Sequence, residues 1–162
     1  MKIDLHINRS TCQDTPADDS VLKWVESALC LGSKKNLGSV ELSILIADID
    51  EASAFNTNYR NSAGATNVLS FPSNLSPNDT FYLLGDLVMC APLVRQEAKS
   101  QVKSAEAHWA HLVIHGVLHL LGYDHQDIEE ANLMEGLEVR ILSSLGYANP
   151  YEIPETAEIA QL

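Results

Sequence analysis

His115-Gly116-Val117-Leu118-His119-Leu120-Leu121-Gly122-Tyr123-Asp124-His125 is the stretch on which the reading of this chain turns. If its first half is helical, His115 and His119 stand four residues apart on one face, so both imidazoles can close on one ion. Gly122 follows where a helix stops at a residue that tolerates the left-handed conformation, and the returning chain can bring His125 to the same point. The helical pattern carrying the first two histidines extends back to about Ser104, which puts the site at the end of a central helix.

On the N-terminal side of that helix the sequence alternates between strand and helix patterns. Residues 2–9 have the two-residue period of a half-buried strand, with Ile3, Leu5 and Ile7 on one side. Val21, Leu22, Val25, Ala28 and Leu29 recur at helical spacing over 18–31. A second strand is read over 39–47. Asp48 with Glu51 resembles a capping box that opens a short helix to about Tyr59, followed by a loop, 60–66, that holds Arg60 and Gly64. Strands are expected over 67–71, closed by Pro72, and over 80–90, with Gly85-Asp86 marking a bulge or close backbone approach. The Pro/Ser/Asn-rich stretch 72–79 between them reads as an exposed loop.

Pro92 fits the first turn of a helix to about Gln101. A last helix is expected over 127–145, with Ile128, Leu133, Leu137, Ile141 and Leu145 as its apolar face. This order suggests a small mixed four-stranded sheet with helices packed on it, an α/β or α+β sandwich. The chain is expected to form one domain over 1–162, its tail from about 147 loosely held.

Composition narrows the functional classes. The three cysteines are far apart and in no C-x-x-C pair, which argues against a disulfide framework or a thiolate zinc site and suits a reducing cytosol. No apolar leader or membrane span is expected, so the reading is a cytoplasmic protein with no membrane partner. A formal charge of −12 works against a broad polyanion-binding surface. Nucleic acid would have to be reached through a local basic patch or a partner.

Three histidines at this spacing point to a bound metal. Nitrogen ligation by neutral imidazoles best suits zinc, although nickel, copper or iron would accept the same donors. Three histidines without a nearby cysteine favour an open, catalytic site over a closed structural one. The H-x3-H-x5-H spacing matches the metzincin protease signature except that Gly116 stands where those enzymes carry the glutamate base. Neutral ligands leave the ion's charge uncompensated, and such a site can activate water without that base. Asp124 either orients an imidazole and assists proton transfer or forms the turn after Gly122-Tyr123. His108 and His111 read as core or surface residues rather than ligands. Arg60 is either a solvated charge or a guanidinium that holds a phosphate beside the metal.

The block from His115 to His125, with its glycine in place of the protease glutamate, resembles the YbeY family of bacterial endoribonucleases and rRNA maturation factors. Two further blocks fit in the same order: Asn58-Tyr59-Arg60 with Thr66-Asn67-Val68-Leu69-Ser70-Phe71-Pro72, and Leu84-Gly85-Asp86. The family often has aspartate where this chain has Asn67, so a role needing negative charge does not carry over. The resemblance covers roughly 40–146. It implies a zincin-like fold, one zinc per chain held by His115, His119 and His125, and a cleft partly lined by Arg60. It further implies cleavage of single-stranded RNA, a role in 16S rRNA 3′-end maturation and ribosome quality control, and contacts with the ribosomal small subunit, one of its proteins and the GTPase Era. The rival readings are a metallopeptidase or amidohydrolase, and a non-catalytic assembly factor stabilised by zinc.

Overall fold

A computed structural model describes residues 1–61, 64–74 and 81–152 of the chain. Strand β1 (Lys2–Ser10) keeps the alternation of its sequence, with Ile3, Leu5 and Ile7 turned towards the core. Helix α1 (Asp18–Gly32) buries Val21, Trp24, Val25, Ala28 and Leu29. Strand β2 (Ser39–Ala47) buries Val40, Leu42, Ile44 and Ile46 on one face. Helix α2 (Ile49–Arg60), β3 (Val68–Pro72), β4 (Tyr82–Cys90) and α3 (Ala91–Ser100) follow, then α4 (Ala105–Leu120) and α5 (Ile128–Ser144). The strand order is β1-β2-β4-β3, with β1, β2 and β4 parallel and β3 antiparallel at the edge. The fold is α+β, a mixed four-stranded sheet with helices packed on it.

Helix α4 is the hub, packing against α1, α3, α5, β3 and β4. Its buried side chains include Trp109, Leu112, Val113, Ile114, Val117, Leu118 and Leu120, so it is apolar nearly all round, as expected of a helix enclosed by its neighbours. Each large apolar side chain buried this way contributes about 1.5–3 kcal/mol. That packing fixes the helix bearing the histidines.

Two glycines set close approaches around this hub. A Cβ on Gly116 would lie 2.8 Å from Leu87 Cδ2 and 3.4 Å from Val68 Cγ2, so the helix comes down on the sheet where the side chain is missing. Gly85 has φ 140°, and a Cβ there would lie 2.3 Å from the Phe71 carbonyl oxygen. The β2–β4 register shifts at this point, which realises the expected interruption as both a bulge and a close approach.

Several local expectations are corrected. Arg60 is the last residue of α2 rather than a loop residue, and the helix stops at Asn61 in the left-handed conformation (φ 54°), which asparagine tolerates. The capping box does not form: the Asp48 carboxylate accepts from the Thr11 hydroxyl, and Glu51 accepts from Ser10 Oγ at 2.6 Å. Competing hydroxyls from the β1 end take both acids. In α5, Ile128 and Leu133 are exposed, and the buried face is Met134, Glu138, Ile141 and Leu142. The face is rotated so that a carboxylate points inward.

The part of the tail that is described is anchored. Tyr147 packs edge-on to Trp24, Lys103 Nζ donates to the Pro150 carbonyl at 2.8 Å, and the Tyr151 hydroxyl donates to Glu138. Residues 153–162 lie outside the described residues, as do 75–80 of the expected exposed loop and 62–63 of the loop after Arg60.

Candidate metal centre

The end of α4 is closed by two backbone hydrogen bonds, Gly122 N–H to the His119 carbonyl and Tyr123 N–H to the Leu118 carbonyl, each 3.0 Å. With Gly122 at φ 105° this is the Schellman arrangement that glycine permits. The Tyr123 hydroxyl donates to the Gly32 carbonyl at 2.6 Å and ties the turn to α1. The chain thereby reverses and brings His125 back over the helix end. Ring centroids are 4.5 Å apart for His115–His119, 5.1 Å for His119–His125 and 5.8 Å for His115–His125. The three residues singled out by spacing do come together.

The hydrogen bonds on the far side of the rings decide what each ring presents. His119 Nδ1 lies 2.9 Å from the Tyr123 carbonyl, which can only accept, so Nδ1 carries the proton. His115 Nδ1 lies 2.6 Å from Glu138 Oε1 and donates to that carboxylate. In the neutral form each ring then has its lone pair on Nε2, and the two Nε2 atoms face one another at 3.0 Å. Two lone pairs at that distance repel, and a cation between them turns the contact into attraction. Two nitrogens bound to one zinc at about 2.0–2.1 Å in a tetrahedron would be roughly 3.3 Å apart, so the residues present fit a metal ion.

Electrostatics favours the neutral form of His119. Burial, followed by the charges of His115 and His125, lowers the His119 pKa below the usual histidine value, against the hydrogen bond to Tyr123 that raises it. Burial alone would raise the Glu138 carboxyl. Hydrogen bonds from His111 and His115, the charge of His115 and the hydrogen bond from Tyr151 outweigh it and bring the pKa down to about 2. Glu138 is fully buried and ionised.

Among the described residues two donor groups come close enough to share an ion: His111, His115 and Glu138, and His119, Asp124 and His125, with the atoms of each group within 4.8 Å of one another. In the first, the 2.6 Å separation of His115 Nδ1 from Glu138 Oε1 is that of a strong hydrogen bond. His111 Nε2 stands 3.3 Å from the same oxygen.

The remaining candidates are placed as follows. Asp124 Oδ1 accepts from the backbone N–H of His125 at 2.7 Å and lies 3.6 Å from its Nδ1, too far for a hydrogen bond. Asp124 thus holds the turn after Gly122-Tyr123, while His115 and His119 take their ring orientation from Glu138 and the Tyr123 carbonyl. Arg60 donates to the Ser70 carbonyl on β3 and its guanidinium carbon lies 5.1 Å from the Phe71 ring centre. Ser70 Oγ in turn reaches the Gly116 carbonyl at 3.4 Å, beside His115. His108 is a buried partner of Glu97 at 2.9 Å, and Asn67 Nδ2 donates to the same carboxylate at 3.0 Å. An aspartate at 67 would set two carboxylates against each other here, whereas the asparagine donates.

Glu138 was not singled out from the sequence. The available signal was a glutamate four residues after Met134 and three before Ile141, inside a stripe of apolar spacing. A cleft of about 500 Å³ opens beside the centre between the 33–37 loop and the turn 121–124, with Lys34, Lys35, Tyr82 and Asp124 among its lining residues. No helix among the described residues is long and apolar enough to cross a membrane.

Comparison with known proteins is consistent with this geometry. The sequence profile of the family described as Endoribonuclease YbeY matches residues 6–146. Among similar proteins, an "Endoribonuclease YbeY" of Nitrosococcus oceani is 49% identical over 155 residues, covering 94% of this chain and 99% of that one. One of Cellvibrio japonicus is 48% identical over 151 residues, covering 93% and 83%. The solution structure of TM1509 from Thermotoga maritima superposes with a TM-score of 0.58 over 89% of this chain and 91% of that one, at 22% identity, a likeness of fold. The chain belongs to the endoribonuclease YbeY family.

Proposed function

We propose that this chain, read as one hydrolase domain over 1–162, is a zinc-dependent endoribonuclease that cuts single-stranded RNA. His115, His119 and His125 hold one zinc per chain. The observation that carries the reading is the pair of Nε2 atoms facing each other at 3.0 Å while both Nδ1 atoms are engaged as donors. Zinc bound there supplies a Lewis acid for the phosphodiester and a route to activated water.

The chain's own residues supply the rest. Arg60, braced on the edge strand by Ser70, binds the phosphodiester through charge-assisted hydrogen bonds and steadies charge that develops on it. Asp124 fixes the turn that carries His125 by holding its backbone N–H. Lys34 and Lys35 line the adjoining cleft together with Asp124 and Glu130, so the lysines offer single contacts to a phosphate rather than a basic surface. The physiological setting we infer is cytoplasmic rRNA processing, including maturation of the 16S rRNA 3′ end and ribosome quality control. The small subunit, one of its proteins and the GTPase Era would bring the acidic enzyme to its RNA.

The packing at Gly116 argues against the peptidase reading. The position of the protease glutamate is turned into Leu87 and Val68, with no room for a side chain that could act as base. The test is zinc content and cleavage of single-stranded RNA on matched preparations of the wild type, His119→Ala and Arg60→Ala. We expect His119→Ala to lose metal and cutting, and Arg60→Ala to keep metal and lose cutting. Equal cutting by all three would assign the activity to a contaminant and leave a zinc-stabilised assembly factor.

A further inference from the structure

Glu138 is fully buried, and among the described residues the partners of its carboxylate are His115, His111 and Tyr151, with no lysine or arginine. It stands in the apolar face of α5 with Met134, Ile141 and Leu142, where a leucine or methionine would pack without the desolvation of a carboxylate. A buried charge in such a place is offset if the histidine it touches shares the charge of a cation. The oxygens are divided accordingly. Oε1 accepts from His115 Nδ1 at 2.6 Å and stands 3.3 Å from His111 Nε2, and Oε2 accepts from the Tyr151 hydroxyl.

Tyr151 itself is not adrift. The Lys103 ammonium holds the carbonyl of Pro150 at 2.8 Å, and the Tyr151 ring stands edge-on to His111 with centroids 5.4 Å apart. Tyr151 thus takes the carboxylate oxygen that His115 leaves.

We propose that Glu138 is a positioning residue for the metal centre: it accepts the Nδ1 proton of His115, fixes that ring so that Nε2 faces His119, and is itself locked by Tyr151. This rests on the functional reading above only in taking His115 as a metal ligand. Removing a carboxylate that orients a ligating histidine typically weakens metal binding by about 10–100-fold. A carboxamide can still accept from Nδ1–H but brings no charge, so Glu138→Gln should fall between the wild type and Glu138→Ala.

The test is zinc affinity, measured by competition with a chromophoric chelator, for the wild type, Glu138→Gln, Glu138→Ala and Tyr151→Phe. Thermal unfolding of the same proteins after chelator treatment separates loss of fold from loss of metal. We expect zinc to be bound about 10–100-fold more weakly by Glu138→Ala, less weakly by Glu138→Gln, and a few-fold more weakly by Tyr151→Phe. The absorption spectrum of the cobalt-loaded protein should change in Glu138→Gln as the His115 ring loses its fixed orientation. If Glu138→Ala fails to fold, Glu138→Gln carries the test. A folded Glu138→Gln that binds zinc as tightly as the wild type, with an unchanged cobalt spectrum, overturns the inference and leaves Glu138 a structural residue. A wild type that takes up no zinc overturns the functional reading together with this one.

Discussion

Helix α4 carries two histidine–carboxylate pairs two turns apart, and they differ in which ring nitrogen the carboxylate takes. In the first, Glu97 engages Nε2 of His108, the atom farthest along the side chain, and Nδ1 is left buried without a hydrogen-bond partner. In the second, Glu138 engages Nδ1 of His115 and leaves Nε2 turned towards His119. Both histidines stand on α4, and their glutamates come from α3 and α5. The first pair has nothing to offer an ion, and the second presents a ligand atom held from behind. What separates a structural histidine from a candidate ligand here is the direction from which its carboxylate approaches.

The largest expected effect breaks this contrast outright. His115→Ala should abolish tight zinc uptake, a loss of more than about 100-fold, whereas His108→Ala should leave it unchanged and lower stability by about 1–3 kcal/mol through the lost bond to Glu97, which keeps only its contact with Asn67. Zinc titration and denaturant unfolding of the two variants read both quantities. Equal loss of zinc in both would erase the distinction. Next in size is Gly116→Glu, which restores the protease pattern beside His115. A charged side chain forced between α4 and Leu87 should cost about 3 kcal/mol or more and confer no peptidase activity. Unfolding curves and a casein assay would show it, and a stable variant that cuts casein would return the peptidase reading.

Acid should act on both ends of α4. Burial lowers the pKa of His108, against its bond to Glu97, and burial with neighbouring histidine charge lowers that of His119. The unfolded chain therefore binds more protons than the folded one below about pH 6.5. This stability is fully present above that pH and is lost as pH falls through the folded-state values. Chelator-treated protein should melt lower at about pH 5.5 than at about pH 7.5, by about 2–4 °C for each kcal/mol lost. The Glu138 contribution is lost only at lower pH, between the ordinary carboxylate range and about 2. A melting temperature that rises on acidification would contradict the neutral assignment of the buried rings. The smallest effect lies just ahead of α4. Val102 sits in the left-handed conformation (φ 55°) at a helix end, half exposed, so Val102→Gly should stabilise by about 1 kcal/mol without touching the metal. A loss of stability on thermal melting would mean that the Val102 side chain contributes packing that outweighs its strain.

The three histidines were legible in the sequence because their placement is local. One helical turn separates the first two, and a glycine-closed helix end returns the third. The sheet was legible for a similar reason, since β1 and β2 carry period-two patterns. Glu138 was not, because it arrives from α5, where the partially exposed Leu137 and exposed Leu133 obscure which stripe faces inward. The end of α2 was misread for want of the left-handed turn at Asn61, which moves Arg60 from the expected loop into the last turn of the helix. Asp124, adjacent in sequence to His125, could be read either as a partner for an imidazole or as a turn-former. Its Oδ1 accepts from the backbone of its own turn, a contact that no spacing in the sequence announces.

The central claim is that His125, brought back by the turn after α4, completes the ligand set, and that the His111, His115 and Glu138 group supports it without binding the ion. Zinc titration of His125→Ala beside His111→Ala, followed by competition with a chelator, tests this most directly. The account predicts that His125→Ala loses high-affinity zinc while His111→Ala keeps one ion per chain. Retention by His125→Ala with loss by His111→Ala would place the metal among His111, His115 and Glu138 and contradict it.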